Sequence, residues 1–231
     1  MIVERPVDCG EVYDGKRHEL VRLLRTLGDG DLGTMVPATP AWSVHDVLSH
    51  VVGIAADLNA QRFDVVDPDE WTARQVRERR DRSVDELAAE WEREAPLFEE
   101  GLRLLGYEIG SHYVGDLLQH TADVHHALGL ATIADDEALA VGLDFYLIEL
   151  DRKLRSSHRG TVVVTVPGEE WALGAGPVVG SLRASRFDTF RVLGGRRSDS
   201  QVRAMDWSGD PAAVLPVVSA YPLPEHPIHE G

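Results

Sequence analysis

The sequence predicts an antiparallel helix bundle followed by a small α+β domain. Three observations carry that prediction. Apolar residues recur at helical spacing through most of the first 155 positions, paired capping signals open two of those segments, and the pattern changes at TVVVTV (161–166) to a β-branched run. The change of pattern places a domain boundary in 156–160, giving a bundle over residues 1–157 and an α+β domain over 158–231.

In the first segment, Leu20, Leu23, Leu24 and Leu27 follow at three- and four-residue intervals, which predicts a helix over 13–27, ended by Gly28, Gly30 and Gly33. After the loop VPATPAW, Ser43 stands three residues before Asp46 and an apolar run begins at once, predicting a capped helix to about Gln61. Asp67-Pro68 precedes a short charged helix over 71–80. Ser83 with Glu86 forms a second capping box, for a helix reaching about Leu105. The stretch YVGDLLQHTADVHHAL predicts a helix over 111–128, and another covers roughly 136–154. Beyond Thr161, Pro167-Gly168 turns the chain back into a strand at 170–173. Leu182, Phe187, Phe190 and Leu193 suit one further helix, and the Pro-rich end PLPEHPIHEG reads as a mobile tail.

Charge narrows the function. A formal net charge of −16, from 39 acidic against 23 basic residues, repels phosphate backbones and anionic lipid, so neither nucleic acid nor a membrane is the expected partner. With a single cysteine, Cys9, no internal disulfide can form; the absence of a signal-like or bilayer-length apolar run points to a cytoplasmic protein, monomer or homodimer.

Metal ligands and acid–base groups must converge in space, so histidines and carboxylates sharing a helix face are the candidates. Asp116 and His120 are spaced i, i+4 and lie only about 40° apart around a helix. His50, beside the apolar line Val47–Val51–Ile54–Leu58, is the best third ligand. Two histidines and one carboxylate leave coordination positions open, as catalytic zinc sites do; the same set suits Fe2+, and the usual affinity order of divalent metals lets Ni2+ load. His45, His112, His125 and His126 have similar chemistry and are set aside by helical phase alone. Arg183, Arg186, Arg191, Arg196 and Arg197 form a basic cluster able to hold a carboxylate, or simply a solvated helix face.

The blocks AWSVHDVLSHVVGIAADL, WTARQVRERRDRSVDELAAEWE and GDLLQHTADVHHALGL, in that order, resemble the mycothiol-dependent maleylpyruvate isomerase family of the DinB-like metal-binding four-helix bundles. The resemblance spans most of 11–155. It implies that Trp42 opens the second helix, that His50, Asp116 and His120 are the metal ligands, with Asp116 where the founding pattern has Glu, and that Asp123 is an acid beyond the ligands. GTVVVTV, EEWALGAG, LRASRFDTFRVLGGRRS and the closing W-x-GDP look like the family's C-terminal domain, similar to sterol carrier proteins, from which Arg196 would serve the metal cleft.

The implied activity is a metal-dependent isomerase or S-transferase with Zn2+ first and Ni2+ or Fe2+ as alternatives. Mycothiol or another low-molecular-weight thiol would be its cosubstrate and a small, anionic molecule its substrate. Asp123 and Arg196 are the expected catalytic-site residues besides the ligands. Two rival readings are a non-catalytic metal- or ligand-binding protein on the same scaffold and a helical interaction module with no metal, which requires His50, Asp116 and His120 not to converge.

Overall fold

The structure is a computed structural model that describes residues 4–62 and 67–230. Apart from the helix that follows Gly106, which has no side-chain cap, each long helix begins on a side chain that relieves the unpaired N–H groups of its first turn. Asp8 opens α1 (Cys9–Leu24), accepting from the N–H of Glu11. A single turn, α2 (Asp29–Leu32), precedes α3 (Val44–Asn59), where Ser43 and Asp46 form the expected reciprocal box. Asp67 caps α4 (Pro68–Arg79), with proline at the first helical position, where its missing N–H costs nothing. Ser83 and Glu86 box α5 (Val84–Leu104), and α6 (Tyr107–Ala127) and α7 (Glu137–Ser156) follow.

The described chain divides into two compact units: residues 7–133, and Ala134–Glu230 together with residues 4–6. In the first, α1 and α3 each pack against both α5 and α6, and α4 lies along α3. Leu20, Leu24, Leu48, Val51, Val52, Leu87, Trp91, Leu117 and Val124 fill the bundle core, none more than 2% exposed. Each such aliphatic side chain contributes roughly 1.5–3 kcal/mol by leaving water. Ion pairs tie the helices as well: the buried Arg17 of α1 reaches Glu99 and the exposed Glu92 of α5, and Arg79 of α4 holds Glu90 of α5 at 2.7 Å in a buried pair.

In the second unit, β1 (Thr161–Val166) pairs antiparallel with β2 (Glu169–Gly174) as the predicted hairpin. On its other side β1 runs parallel to β3 (Val178–Arg183), and β3 pairs antiparallel with β4 (Asp206–Gly209), giving the order β2-β1-β3-β4. Val162, Val164 and Val166 point to the core. Leu182 therefore belongs to a strand, where pairing with Val164 and Trp207 fixes it, and the helix predicted around it begins later, as α8 (Arg186–Leu193). A further helix, α9 (Asp199–Arg203), and β4 carry too short a pattern to have been predicted.

Helix α7 packs with this sheet: Asp151 accepts from the N–H of Gly174 at 2.7 Å, and Tyr146 meets Phe190 edge-on at 5.4 Å. The compact unit thus starts at Ala134, ahead of the change in sequence pattern. The Pro-rich end is docked as well. Gln201 of α9 holds the backbone N–H and C=O of Ile228, whose side chain is buried, and the Glu230 carboxylate takes hydrogen bonds from Arg191 and Arg197. Part of the basic cluster does hold a carboxylate, and that carboxylate is the chain's own.

Candidate metal centre

The three predicted ligands converge: one ligand atom each from His50, Asp116 and His120 lies within 4.8 Å of the others. Helix α3 supplies the first, α6 the other two, one turn apart. His50 and His120 are 4% and 5% exposed, while Asp116 is partly open. The Nε2 of His120 faces Asp116 Oδ1 at 3.8 Å, a distance at which the two are not hydrogen-bonded to each other.

The two imidazoles stand edge to face, 4.9 Å between centroids, and Trp42 covers both, its ring 4.8 Å from His50 and 6.1 Å from His120. The loop before α3 fixes that indole by its backbone, with the N–H of Val36 on the carbonyl of Trp42 and the N–H of Trp42 on that of Thr39. A divalent ion fits this donor set. The candidate ligands are two imidazoles and a carboxylate clustered on largely buried positions, and the buried Nδ1 of His120 makes no hydrogen bond among the described residues. Zn2+, Fe2+ and Ni2+ all accept such a set.

Behind these three side chains lie polar groups. Asp123, wholly buried one turn beyond His120, brings its Oδ2 to 3.5 Å from His120 Nδ1. His50 Nδ1 lies 2.8 Å from Oε1 of Gln75 on α4, whose Nε2 donates to Asp57 Oδ2 at 3.0 Å. Gln75 and Asp57 are 0% and 1% exposed. Neither residue stands out in the sequence, because α4 reads as a charged surface helix and Asp57 is a lone acid near the end of α3. The signal is on the facing helix: a Cβ at Gly53 would sit 2.5 Å from Gln75 Cβ, so α4 approaches this closely because residue 53 has no side chain.

Burial by the bundle raises the Tyr113 phenol to about 12, with the Asp116 charge adding to it, and burial lowers the His112 imidazole. His112 stacks on Tyr113 instead of joining the ligands. His45 donates to the carbonyl of Arg82 and His125 to that of Ala131, so both histidines have structural partners. In the second unit, Arg196 follows α8, its guanidinium donating to the Gly194 carbonyl at 3.1 Å. The convergence excludes the reading as a bundle whose candidate ligands stay apart.

Residues 14–108 match the family model for the mycothiol maleylpyruvate isomerase N-terminal domain. Among solved structures, the chain is similar to a crystal structure of the mycothiol-dependent maleylpyruvate isomerase, at 18% identity and a TM-score of 0.52, covering 83% of this chain and 89% of that one. A histidine-to-alanine mutant of the mycothiol-dependent maleylpyruvate isomerase matches over the same shares at 16% identity and a TM-score of 0.49. No curated protein matches significantly. Among the described residues no helix is long and apolar enough to cross a membrane. The first of these likenesses supports the fold of a helical region with a small mixed sheet, and residues 14–108 of this chain carry the match to the mycothiol maleylpyruvate isomerase N-terminal domain family.

Proposed function

We propose that the chain is a divalent-metal-dependent enzyme of low-molecular-weight thiol chemistry, an isomerase or S-transferase that uses mycothiol. The observation that supports this reading is the convergence of His50, Asp116 and His120 from two helices beside the indole of Trp42. Zn2+ is our first choice for the ion, with Fe2+ and Ni2+ as alternatives. When bound, the ion supplies the positive charge that lowers the pKa of a thiol and favours the nucleophilic thiolate.

The chain's own residues have positional work. His50 and His120 offer nitrogen donors, Asp116 offsets part of a cation's charge, and Trp42 limits the water that reaches them. Asp123 faces the second nitrogen of His120 and would take its N–H when a cation is held at the other. Arg196 is our candidate for holding an anionic substrate, since a guanidinium fork matches a carboxylate. In the isomerisation, the thiolate sulfur adds to one carbon of an electron-poor double bond and the π pair moves toward the activating carbonyl. Rotation about the resulting single bond follows. The pair then returns and expels the same thiolate, so no thiol is consumed.

Elemental analysis of the purified protein beside a His50→Ala/His120→Ala variant tests the reading. About one equivalent of a divalent ion is expected in the wild type and none in the variant, with mycothiol-dependent cis–trans isomerisation of an activated enone acid by the wild type only. Absence of metal from both proteins after reconstitution would sink it.

A further inference from the structure

We propose that Gln75 is a positioning residue that sets the tautomer of His50, so that the Nε2 lone pair is the one presented to a divalent cation. The inference rests on the metal-dependent reading of the site. It follows from a chain of hydrogen bonds whose direction is fixed at its far end.

Asp57, 1% exposed, is paired with the guanidiniums of Arg62 at 3.1 Å and Arg74 at 3.3 Å. A carboxylate held in this way accepts hydrogen bonds and has none to give. The side-chain atom of Gln75 that faces it at 3.0 Å must therefore be the NH2 group. The amide is planar, so its oxygen points the other way, to His50 Nδ1 at 2.8 Å. An amide oxygen only accepts, which makes Nδ1 the protonated nitrogen; in the imidazole with one N–H, the lone pair then sits on Nε2.

Placement enforces the direction. Gln75 is fully buried, and its Cβ and Cγ fill the space left by the missing side chain of Gly53, one turn along α3 from His50. Arg79, one turn further along α4, donates to the Gln75 carbonyl and is anchored to Glu90 of α5. The amide is thus clamped at its backbone and at both ends of its side chain. A ligating histidine commonly gives its other N–H to a carboxylate or carbonyl, which fixes the ring and raises its basicity as a ligand. For His120 the facing group is a carboxylate from the same helix, Asp123. For His50 an amide from a neighbouring helix carries the influence of a carboxylate two residues removed.

A packing role for Gln75 predicts no effect on proton position, and this separates the two accounts. The test measures the His50 tautomer in the metal-free protein by long-range 15N–1H correlation, with its signals identified by their loss in His50→Gln. Zn2+ affinity is measured by chelator competition on the same proteins. The wild type should show the Nδ1–H form. The paired change Gln75→Glu/Asp57→Asn keeps an acceptor oxygen toward His50 and a donor facing an acceptor between positions 75 and 57, and should keep the Nδ1–H tautomer and bind Zn2+ at least as tightly as the wild type. Gln75→Leu should lose the tautomer preference and bind Zn2+ about tenfold to a hundredfold more weakly.

An Nε2–H tautomer in the wild type overturns the proposal, as does Gln75→Leu binding Zn2+ as tightly as the wild type. If Gln75→Leu does not fold, the wild-type tautomer and the paired Gln75→Glu/Asp57→Asn change still decide. Failure of every protein, wild type included, to bind Zn2+ would overturn the metal-dependent reading instead, and the tautomer measurement on the metal-free wild type would still test the hydrogen-bond chain.

Discussion

Asp123 Oδ2 stands 3.5 Å from Nδ1 of His120, with the carboxylate wholly buried and the ring nitrogen in no hydrogen bond. The two are close enough for a small ring rotation to join them. Charge on His120 Nε2 from a bound cation would make Nδ1–H a stronger donor and draw it onto Asp123.

Asp123→Asn should therefore weaken Zn2+ binding by about tenfold to a hundredfold. The neutral amide retains the shape and gives up the charge that makes the ring a better ligand. Chelator competition on the purified variant checks this, with circular dichroism showing that the helical content is kept. Affinity equal to that of the wild type would remove Asp123 from the site.

Gly53→Ala gives a second route to the same centre. Alanine is the better helix former by roughly 1 kcal/mol, so an exposed position would gain stability from the change. Here the added methyl would meet Gln75 Cβ at 2.5 Å and Cγ at 2.7 Å. Overpacking of this kind costs typically 1–3 kcal/mol. The expected outcome is a net loss of about 1 kcal/mol in urea unfolding, accompanied by weaker Zn2+ binding as α4 and Gln75 move off His50. Stability raised above the wild type would contradict the close approach.

The two capping boxes were legible in the sequence because a Ser and an acid three residues apart act on each other with no help from the rest of the fold. Asp116 and His120 were legible for a related reason, since helical spacing alone brings them to one face, and apolar phase pointed to His50. Gln75 was hidden because its role is created by how closely two helices approach, which the sequence marks only by a glycine on the opposite helix. Leu182 fits a helical period by coincidence of spacing, and its strand is decided by pairing with residues at positions 164 and 207. Arg191 and Glu230 are 39 positions apart, in a stretch whose prolines suggested a loose end.

That last pair gives a stability prediction. The Arg191 guanidinium is completely buried, the Glu230 side chain is 4% exposed, and Arg197 binds the same carboxylate at 2.6 Å. Glu230→Gln removes the negative charge and leaves the guanidiniums where water cannot solvate them. Breaking a buried pair by neutralising one member costs roughly 3 kcal/mol. Urea denaturation should show a loss of that order with metal binding by the first unit unchanged; a loss below about 0.5 kcal/mol would mean that water reaches Arg191.

Acid should destabilise the second unit through Glu169. Burial alone would raise this carboxyl, but hydrogen bonds from Arg5 and Arg186 outweigh it and hold the group below its ordinary 4.5. A carboxyl whose folded pKa is depressed binds fewer protons folded than unfolded. Its stabilising effect is therefore complete above pH 4.5 and is lost as the pH falls through the folded value. Asp151 acts in the same sense: burial opposes its ionisation, while hydrogen bonds from Arg155 and the Gly174 N–H prevail and lower its pKa. Glu99 in the bundle has the opposite sign, raised first by burial and then by Asp14, and offsets part of the effect. Thermal melts from pH 6 to pH 3 should show the midpoint falling below about pH 4.5, and Glu169→Gln should flatten the fall while lowering the midpoint at neutral pH. An unchanged slope in the variant would show that the ion pairs from Arg5 and Arg186 contribute nothing to stability and that other carboxylates carry the acid sensitivity.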